Sequence, residues 1–386
     1  MAKTRLAVVC DFREENWPSM DLVADMLVSQ LQQNYSHLFD VTRVCPPLRR
    51  RFSRDGDESS RFNADRFLNR FRDYPRFLNG IKDQFDLFHI VDHSYGQLLH
   101  ELPPERTIVT CHDLDTFQCL LDPVNDPRSL PFRKMMARTL SGFRKAERVT
   151  CDSQATRNEL LRHKLVEPDR AVVVPNGIHP SCSLEANPTA DREAAKLLGA
   201  PTADAIDMLH VGSTIRRKRI DLLLEIFAAV RKALPQSRLI RVGGEFTDQQ
   251  SRLAETLGLT QAIVVLSNLE RDVLAAVYRR AAVVLLPSER EGFGLPIVEA
   301  LACGTPVIAS DLPVLRETGG QAVEYCPIAQ VDRWLEKIVN VTREKSEPTG
   351  AWMARRRAGI AQANKFSWAH YAAQMASLYQ DVLTNI

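Results

Sequence analysis

Several features that mark common protein classes are missing from this 386-residue sequence. Its eight cysteines include no C-x-x-C pair and no cysteine–histidine spacing of a zinc site, so we interpret them as reduced packing residues. No apolar run approaches the roughly 20 residues of a membrane helix. No G-x-G-x-x-G follows an early strand pattern, which argues against a nucleotide-dependent oxidoreductase.

The sequence also lacks an excess of charge of either sign. Fifty Lys and Arg residues against 48 Asp and Glu leave a formal net charge of +2, which argues against nucleic acid as a partner. The apolar stretch from Leu6 to Cys10 is shorter than that of a signal peptide, and no small-residue cleavage site follows it. We therefore expect a cytoplasmic protein.

Short apolar runs alternate with helical patterns along the chain, which predicts α/β domains with parallel sheets. The runs form two groups of five. The first group is 6–10, 88–91, 107–111, 148–151 and 171–174, and the second is 208–211, 239–242, 262–266, 282–286 and 306–309. We therefore expect two Rossmann-like, doubly wound domains that face a central cleft and bind ligands at the carboxyl ends of their strands.

The segment 175–205 is rich in Pro, Gly, Asn and Ser, and it indicates a domain boundary. We predict an N-terminal domain over 1–179 and a C-terminal domain over 180–365. The remaining segment, 366–386, contains an amphipathic helical pattern after Ser367, a suitable N-cap.

The segment from Ala282 to Asp311 has the pattern strand, loop, helix, strand. Pro296 suits a first helical turn and Gly304 a C-terminal cap, so the helix is expected to begin near Leu295. The free N–H groups and the dipole of a helix start favour an anion. The preceding glycines, Gly292 and Gly294, allow a phosphate or sugar to approach the backbone closely.

Two acids, Glu291 and Glu299, flank this helix start. An ionised carboxylate accepts hydrogen bonds from vicinal hydroxyl groups, so both acids suit a ribose or a sugar. Taken singly, Glu291 is equally an exposed loop charge and Glu299 an ordinary helix residue. Together, in Glu-Gly-Phe-Gly-Leu-Pro-Ile-Val-Glu, they resemble the E-x7-E motif of glycosyltransferase family 4, whose members are retaining enzymes with the two-domain GT-B fold.

The resemblance covers nearly the whole chain. Residues 211–225 resemble the family's first C-domain strand and diphosphate loop, and 174–178 its interdomain segment. Thr110-Cys-His-Asp113 resembles its N-domain histidine motif. Phe366-Ser-Trp368 is typical of the segment before a last helix that, in the family, packs back on the N-terminal domain.

The resemblance implies transfer of a hexose-type sugar from a UDP-, GDP- or ADP-sugar to an acceptor in glycan, polysaccharide or glycolipid synthesis. It implies catalytic roles for His112, Glu291, Lys218 and Arg217. At Ser213 the family often has arginine, and Arg217 is expected to replace that contact. Lysine, arginine and the helix dipole stabilise a leaving diphosphate, so we expect no metal and no other cofactor.

The implied donor-binding residues share positions around the ends of the C-domain strands. They are Gly212, Arg217, Lys218, Gly243, Glu291, Gly292, Phe293, Gly294, Leu295 and Glu299. A sharp turn alone explains Gly243 and Gly244 equally well. Asn268 lies at the family's nucleobase position.

The acceptor side is expected at the N-terminal domain. Asp92, His93, Ser94 and Tyr95 end a strand, and Asn16 and Trp17 lie in a loop without glycine where many family members have a glycine-rich one. The alternative for both groups is that they only pack within their loops. For His112 the alternative is a structural role.

Residues 49–77 combine nine arginines with interleaved phenylalanines. Such a segment suits peripheral contact with an anionic membrane face or a lipid-linked acceptor. The alternative places Phe67 and Phe71 in the core and the arginines in water. For the whole chain, a non-catalytic nucleotide-sugar-binding protein of the same fold remains the alternative to an enzyme.

Overall fold

The computed structural model describes residues 3–54, 60–199, 206–267, 269–346 and 350–385. The chain forms two compact units, one of residues 1–176 with 368–386 and one of residues 177–367. Both are α/β units built on a six-stranded, wholly parallel sheet. This confirms the predicted two-domain α/β fold.

The first sheet has the strand order β2-β1-β3-β4-β5-β6. Its strands are β1 (Thr4–Val9), β2 (Phe39–Val44), β3 (Leu87–Ile90), β4 (Thr107–Cys111), β5 (Arg148–Cys151) and β6 (Ala171–Val173). The connecting helices are α1 (Pro18–Asn34), α2 (Ser60–Leu68), α3 (Tyr74–Ile81), α4 (Gln118–Leu121), α5 (Leu130–Phe143) and α6 (Gln154–Arg162). A π-helical turn, Asn69–Asp73, joins α2 to α3, and short 3₁₀ turns include Arg13–Glu15 and His93–His100.

The second sheet has the order β12-β11-β10-β7-β8-β9. Its strands are β7 (Ile206–Val211), β8 (Ser237–Val242), β9 (Ile263–Leu266), β10 (Val283–Leu286), β11 (Val307–Ser310) and β12 (Glu324–Cys326). Its helices are α7 (Pro188–Leu198), α8 (Ile220–Ala233), α9 (Asp248–Thr256), α10 (Arg271–Arg280), α11 (Leu295–Ala302), α12 (Pro313–Gly319), α13 (Val331–Ser346) and α14 (Gly350–Ala363).

Two strands, β2 and β12, were not expected from the sequence, which predicted five strands in each domain. Both lie at the edge of their sheet. Along β2, buried and exposed residues alternate, and β12 has only three residues, of which one is buried. Neither forms the continuous apolar run that identified the other ten strands, because polar and charged residues interrupt β2 and because β12 is only Glu-Tyr-Cys.

The last helix, α15 (Trp368–Thr384), belongs to the first unit. Its Tyr379 packs edge-on against Phe39, and its hydroxyl lies 2.7 Å from Nδ1 of the buried His89. Nε2 of His89 lies 2.7 Å from Oγ1 of Thr110, so both ring nitrogens have partners. Burial lowers the pKa of His89 to about 3. This neutral histidine therefore joins the terminal helix to the centre of the sheet.

Among the described residues, no helix combines the length and the apolar character that crossing a membrane requires.

Candidate functional site

The loops after β7 and β10 leave the same edge of the second sheet, since these parallel strands are neighbours. After β7, Gly212 leads into a 3₁₀ turn over Arg216–Lys218, and α8 follows. After β10, the loop runs to the start of α11. The N–H of Glu289 donates to the carbonyl of Arg217 over 2.8 Å and so joins the two loops.

This junction brings three of the predicted catalytic residues together. Nζ of Lys218 donates to Oε1 of Glu291 over 2.7 Å, and Nη1 of Arg217 donates to Oε2 over 3.3 Å. The hydroxyl of Ser288 also donates to Oε1 of Glu291, over 2.7 Å. We call Arg217, Lys218, Ser288 and Glu291 the basic junction.

The Glu291 side chain is only 6% exposed, so its charge requires these partners. Burial by itself would raise the pKa of Glu291, but Lys218, Arg217 and the Ser288 hydroxyl outweigh burial and lower it. The alternative of an exposed loop charge is therefore wrong for Glu291. With one acid and two bases, the basic junction has a net positive charge.

The helix beside the junction begins as the sequence predicts. Leu295 is the first residue of α11, and Pro296 occupies its first turn. The N-cap Gly294 has φ +91°, and a Cβ there would lie 2.9 Å from Cδ2 of Leu315. Gly304, with φ +70°, follows the helix end. The local sequence therefore fixes where α11 and its dipole begin. In this first turn Pro296 has no N–H, and the N–H of Ile297 donates to the carbonyl of Gly294 over 2.9 Å.

Glu299, inside α11, has partners of its own. It is 4% exposed, its Oε2 accepts a 2.9 Å hydrogen bond from the hydroxyl of Tyr278, and its Oε1 lies 3.8 Å from Nη1 of Arg271. Burial raises its pKa despite Arg271 and Tyr278, which act in the opposite direction. The two acids of the E-x7-E motif thus have different partners. Glu291 binds cations of the loop after β7, whereas Glu299 contacts side chains of α10.

Gly212 and Gly243 bring the turns after β7 and β8 into close contact. Gly243 has φ +126°, and a Cβ at this position would lie 2.2 Å from the carbonyl oxygen of Gly212. Only glycine combines this backbone conformation with this approach. Gly244, with φ +96°, continues the turn. Asn268 lies outside the described residues.

Phe293 is 5% exposed, and its ring packs edge-on against Phe366 at 5.5 Å. The structure therefore gives this predicted donor-binding residue a packing role.

In the first unit, His112 follows β4 and is 5% exposed. Its Nδ1 lies 2.6 Å from Oδ2 of Asp152, and its Nε2 lies 2.7 Å from the carbonyl oxygen of Val91. Burial would lower the pKa of His112, but the Asp152 carboxylate outweighs burial and raises it to about 9. At neutral pH both N–H groups therefore donate to protein oxygens.

The structure corrects the acceptor-side prediction for residues 92–95 at Tyr95, which is buried. Tyr95 is 1% exposed, the guanidinium of Arg70 lies 4.0 Å from its ring centroid, and its hydroxyl accepts from the N–H of Phe12. It is a core residue instead. Asp92, 6% exposed, accepts from the N–H of Ser94 over 2.8 Å and from its hydroxyl over 2.5 Å, and caps the turn that follows.

His93 is likewise buried, with its Nδ1 3.2 Å from Oδ1 of Asp92. In the loop after β1, Asn16 has φ +56° and Trp17 is 41% exposed. Of the six residues predicted on the acceptor side, Asn16 and Trp17 are therefore the ones exposed to solvent.

In Asp113-Leu114-Asp115, Oδ1 of Asp113 accepts a hydrogen bond from the N–H of Asp115 over 3.0 Å. In the part of the chain that the structure describes, no group of three His, Cys, Asp or Glu side chains has a metal-binding arrangement.

Two family models match the chain. The model described as Glycosyl transferases group 1 matches residues 199–349, and the model described as Glycosyltransferase Family 4 matches residues 23–181. Together they cover most of the sequence and both units. The chain belongs to glycosyltransferase family 4.

Curated relatives of this family 4 chain include two D-inositol 3-phosphate glycosyltransferases. That of Corynebacterium glutamicum is 29% identical over 323 residues, which are 79% of this chain and 74% of the relative. That of Mycolicibacterium smegmatis is 32% identical over 252 residues, 62% of this chain and 54% of the relative. Other curated D-inositol 3-phosphate glycosyltransferases also match, and the chain spans about half the length of these and of the Mycolicibacterium smegmatis relative.

Solved structures show the same fold, which is GT-B. Sucrose-phosphate synthase from Thermosynechococcus elongatus matches with a TM-score of 0.76 at 20% identity, with both chains fully covered. Anabaena Alr3699/HepE in complex with UDP-glucose matches with a TM-score of 0.72 at 16% identity, over 98% of this chain and 100% of the other.

Sequence reasoning missed several residues that hold the site. Ser288 binds Glu291, Tyr278 and Arg271 flank Glu299, and Asp152 binds His112. A signal existed for Asp152, because it directly follows a predicted strand, where parallel strands present ligand-binding residues. Tyr278 and Arg271 carried no such signal, since a helical pattern does not tell which neighbouring helix it meets.

Proposed function

We propose that this glycosyltransferase moves a hexose-type sugar from a nucleoside-diphosphate sugar to a hydroxyl acceptor, with retention of anomeric configuration, in glycan, polysaccharide or glycolipid synthesis. The observation that carries the proposal is the basic junction beside the start of α11. There Lys218 and Arg217 converge on Glu291 in a buried, net positive group a few residues before the start of α11.

A leaving diphosphate gains negative charge as the bond to the sugar breaks. Cations and helix N–H groups that already occupy fixed positions stabilise this charge more in the transition state than in the bound donor. Lys218 and Arg217 would take this role, while Glu291 holds them in place without ligand and accepts sugar hydroxyls when the donor binds. Glu299 would accept the ribose hydroxyls.

In the proposed reaction, the bond between the anomeric carbon and the diphosphate oxygen breaks, and the acceptor oxygen bonds to the same face of that carbon. The acceptor proton passes to the departing phosphate oxygen. The reaction therefore requires no side-chain nucleophile, no metal and no other cofactor. His112 belongs to the proposed catalytic set as well, as a positively charged ring held in place by Asp152.

UDP-glucose is the first donor to test, because the Anabaena protein of the same fold was solved with UDP and with UDP-glucose. A phosphorylated polyol is the first soluble acceptor to test, because the names of the curated relatives specify inositol 3-phosphate. GDP- and ADP-sugars complete the donor set.

The test combines binding with product analysis. A donor that binds the folded chain should raise its melting temperature, and the matching donor–acceptor pair should release nucleoside diphosphate and give a product whose anomeric proton couplings show retention by NMR. An inverted product would contradict retention. If a nucleotide-sugar donor binds but is neither transferred nor hydrolysed, the result would favour the non-catalytic alternative.

A peripheral membrane contact at the cytoplasmic face is the second part of the proposal, and it concerns the acceptor. In segment 49–77, Phe52, Phe67 and Phe77 are 54%, 50% and 40% exposed, and the rings of Phe67 and Phe71 stack at 5.4 Å. The core position considered for Phe67 is therefore wrong. Exposed aromatic rings beside exposed arginines, among them Arg72 and Arg76, suit an anionic lipid surface.

Co-sedimentation with vesicles tests this contact. The chain should bind vesicles of phosphatidylglycerol and phosphatidylcholine more strongly than phosphatidylcholine alone, and the double substitution Phe67→Ser with Phe77→Ser should reduce binding. Leu130→Ser, which removes a side chain that is 71% exposed on α5, is the matched control. Equal binding by the double variant would end the membrane proposal and leave the transfer proposal intact.

A further inference from the structure

One fully buried cation lies behind the donor-binding loops. Arg241, at the end of β8, is 0% exposed. The guanidinium carbon lies 5.2 Å from the ring centroid of Phe246. Among the described residues no carboxylate forms an ion pair with Arg241, and the acid that acts on it from a distance is the exposed Glu245. A buried charge without a counter-ion is costly, so its retention requires a reason.

The guanidinium instead donates to backbone carbonyls of the two glycine turns. Nη2 lies 3.0 Å from the carbonyl oxygen of Gly212 and 3.0 Å from that of Gly243, and Nη1 donates to the carbonyl of Gly244. One side chain thus holds the turn after β7 and the turn after β8 together. These are the turns whose backbones approach too closely for any Cβ at Gly243.

This arrangement fixes the direction of the backbone N–H groups that follow. In a trans peptide the N–H points opposite to the C=O. Because three carbonyls point at Arg241, the N–H groups of Ser213, Gly244 and Glu245 point away from it. In the described part of the chain none of these three donates to a protein acceptor. Successive backbone N–H groups such as those of Gly244 and Glu245 can bind an anion in the concavity of a turn.

The same site holds a second buried polar ring. His210 on β7 is the register partner of Arg241 on β8, and it is 0% exposed. Burial, together with the positive charges of Arg241 and Lys218, lowers its pKa to about 3. His210 is therefore neutral and does not neutralise Arg241. His210 therefore leaves the positive potential of Arg241 at the glycine turns unneutralised.

We infer that Arg241 is a positioning residue for the donor diphosphate: it orients the N–H groups of the two glycine turns toward the diphosphate and supplies a buried positive charge behind them. The inference rests on the proposed nucleotide-sugar donor. Neither the E-x7-E motif nor the basic junction includes Arg241, and its charge acts through the turns rather than by contact with the substrate.

Nucleoside diphosphate binding tests the inference, measured on the full chain by calorimetry with UDP, GDP and ADP. Arg241→Gln keeps N–H donors for the carbonyls but removes the charge, and it should weaken diphosphate binding about tenfold. Binding of the corresponding nucleoside, measured by saturation-transfer NMR, should stay unchanged. Arg238→Gln, on the same strand but paired with Asp207, is the matched control and should change neither affinity.

A lysine variant separates charge from folding. A lysine with an ordinary pKa of about 10.4 would lose its charge at lower pH than arginine when buried here. Diphosphate affinity of Arg241→Lys should therefore fall several-fold more between pH 7 and pH 9 than that of the wild-type chain, in which burial lowers the pKa of Arg241 only to about 10. This comparison decides the matter if the glutamine variant does not fold.

Each outcome has one meaning. The inference would be overturned if Arg241→Gln bound nucleoside diphosphates as tightly as the wild type does. It would also be overturned if the variant lost affinity equally for nucleoside and for nucleoside diphosphate, because an equal loss indicates a merely structural role. A pH response of Arg241→Lys that matches the wild type would do the same. If the wild-type chain binds none of the three nucleoside diphosphates, the proposed function itself fails, and this inference fails with it.

Discussion

Replacing Lys218 with alanine tests the basic junction most directly. Nζ of Lys218 lies 2.7 Å from Oε1 of Glu291, and the two side chains are 11% and 6% exposed. Breaking a buried ion pair by removing one partner costs about 3 to 5 kcal/mol. Because Arg217 still lies 3.3 Å from Oε2, we expect the lower end, about 3 kcal/mol. For a domain of this size that lowers the melting temperature by roughly 6 to 12 °C.

A double-mutant cycle isolates the pair. Glu291→Gln in the Lys218→Ala background removes the unpaired charge, so the double variant should be more stable than the sum of the single effects predicts, by about 1 to 2 kcal/mol. The cost of Lys218→Ala should also depend on pH. The pKa of Glu291 is lowered, so the ionised carboxylate stabilises the fold at pH values above the ordinary glutamate pKa of about 4.3. This stabilisation is lost as pH falls through the lowered pKa.

Turnover gives the functional half of this prediction. Loss of a preorganised cation at the leaving group should reduce kcat about 10²- to 10³-fold, measured as nucleoside diphosphate release with the active donor–acceptor pair. The exposed Arg216, two residues earlier in the same turn, supplies the control Arg216→Ala, which should keep wild-type stability and turnover. Wild-type turnover in a folded Lys218→Ala variant would refute the reasoning.

Three further predictions concern single side chains. Glu299→Gln should weaken donor binding about tenfold by calorimetry, with stability within about 1 kcal/mol because the amide still accepts the neighbouring phenol hydrogen bond. Because the pKa of His112 is raised, protonated His112 contributes its full stabilisation below the ordinary histidine pKa of about 6.5, and this contribution is lost as pH rises through about 9. Urea unfolding should show that the free energy of unfolding falls by about 3 kcal/mol between pH 6 and pH 10. Asp152→Asn should abolish this fall. Gly243→Ala should lower the free energy of unfolding by about 3 kcal/mol or more. Gly258→Ala is the control and should lower it by about 1 kcal/mol, because φ is +68° there but nothing lies within 4 Å of a new Cβ. Equal melting temperatures of the two variants would contradict the close approach of Gly243 to Gly212.

Much of the fold was predictable because the signals are local. The ten predicted strands are short, mainly apolar runs that the sequence itself shows. The start of α11 follows from Gly294 and Pro296, since each permits a backbone conformation that defines a helix start. β2 and β12 were missed because polar and charged residues interrupt the first and the second has only three residues, so neither gives an apolar run.

The candidate site was predictable in part. The E-x7-E frame and Lys218 indicated a diphosphate-linked sugar, and the structure brings Lys218 to Glu291 across 73 residues of sequence. Sequence reasoning could not supply Ser288, Tyr278 or Asp152, because each is defined by which neighbouring element it meets. It also placed Tyr95 at a ligand surface, although Arg70 and the aromatic core enclose its ring.

The sequence alone thus determined the family, the two α/β domains and the residue types available at the strand ends, because periodicity, glycine and proline act over a few neighbouring residues. Tertiary structure decided which charges are paired, which are buried and which carry an altered pKa. Arg241 illustrates the difference: within its strand it is an ordinary arginine, and only the packing of two glycine turns around it makes it a buried cation without a counter-ion. Electrostatic interaction depends on distance and burial, and neither follows from sequence separation.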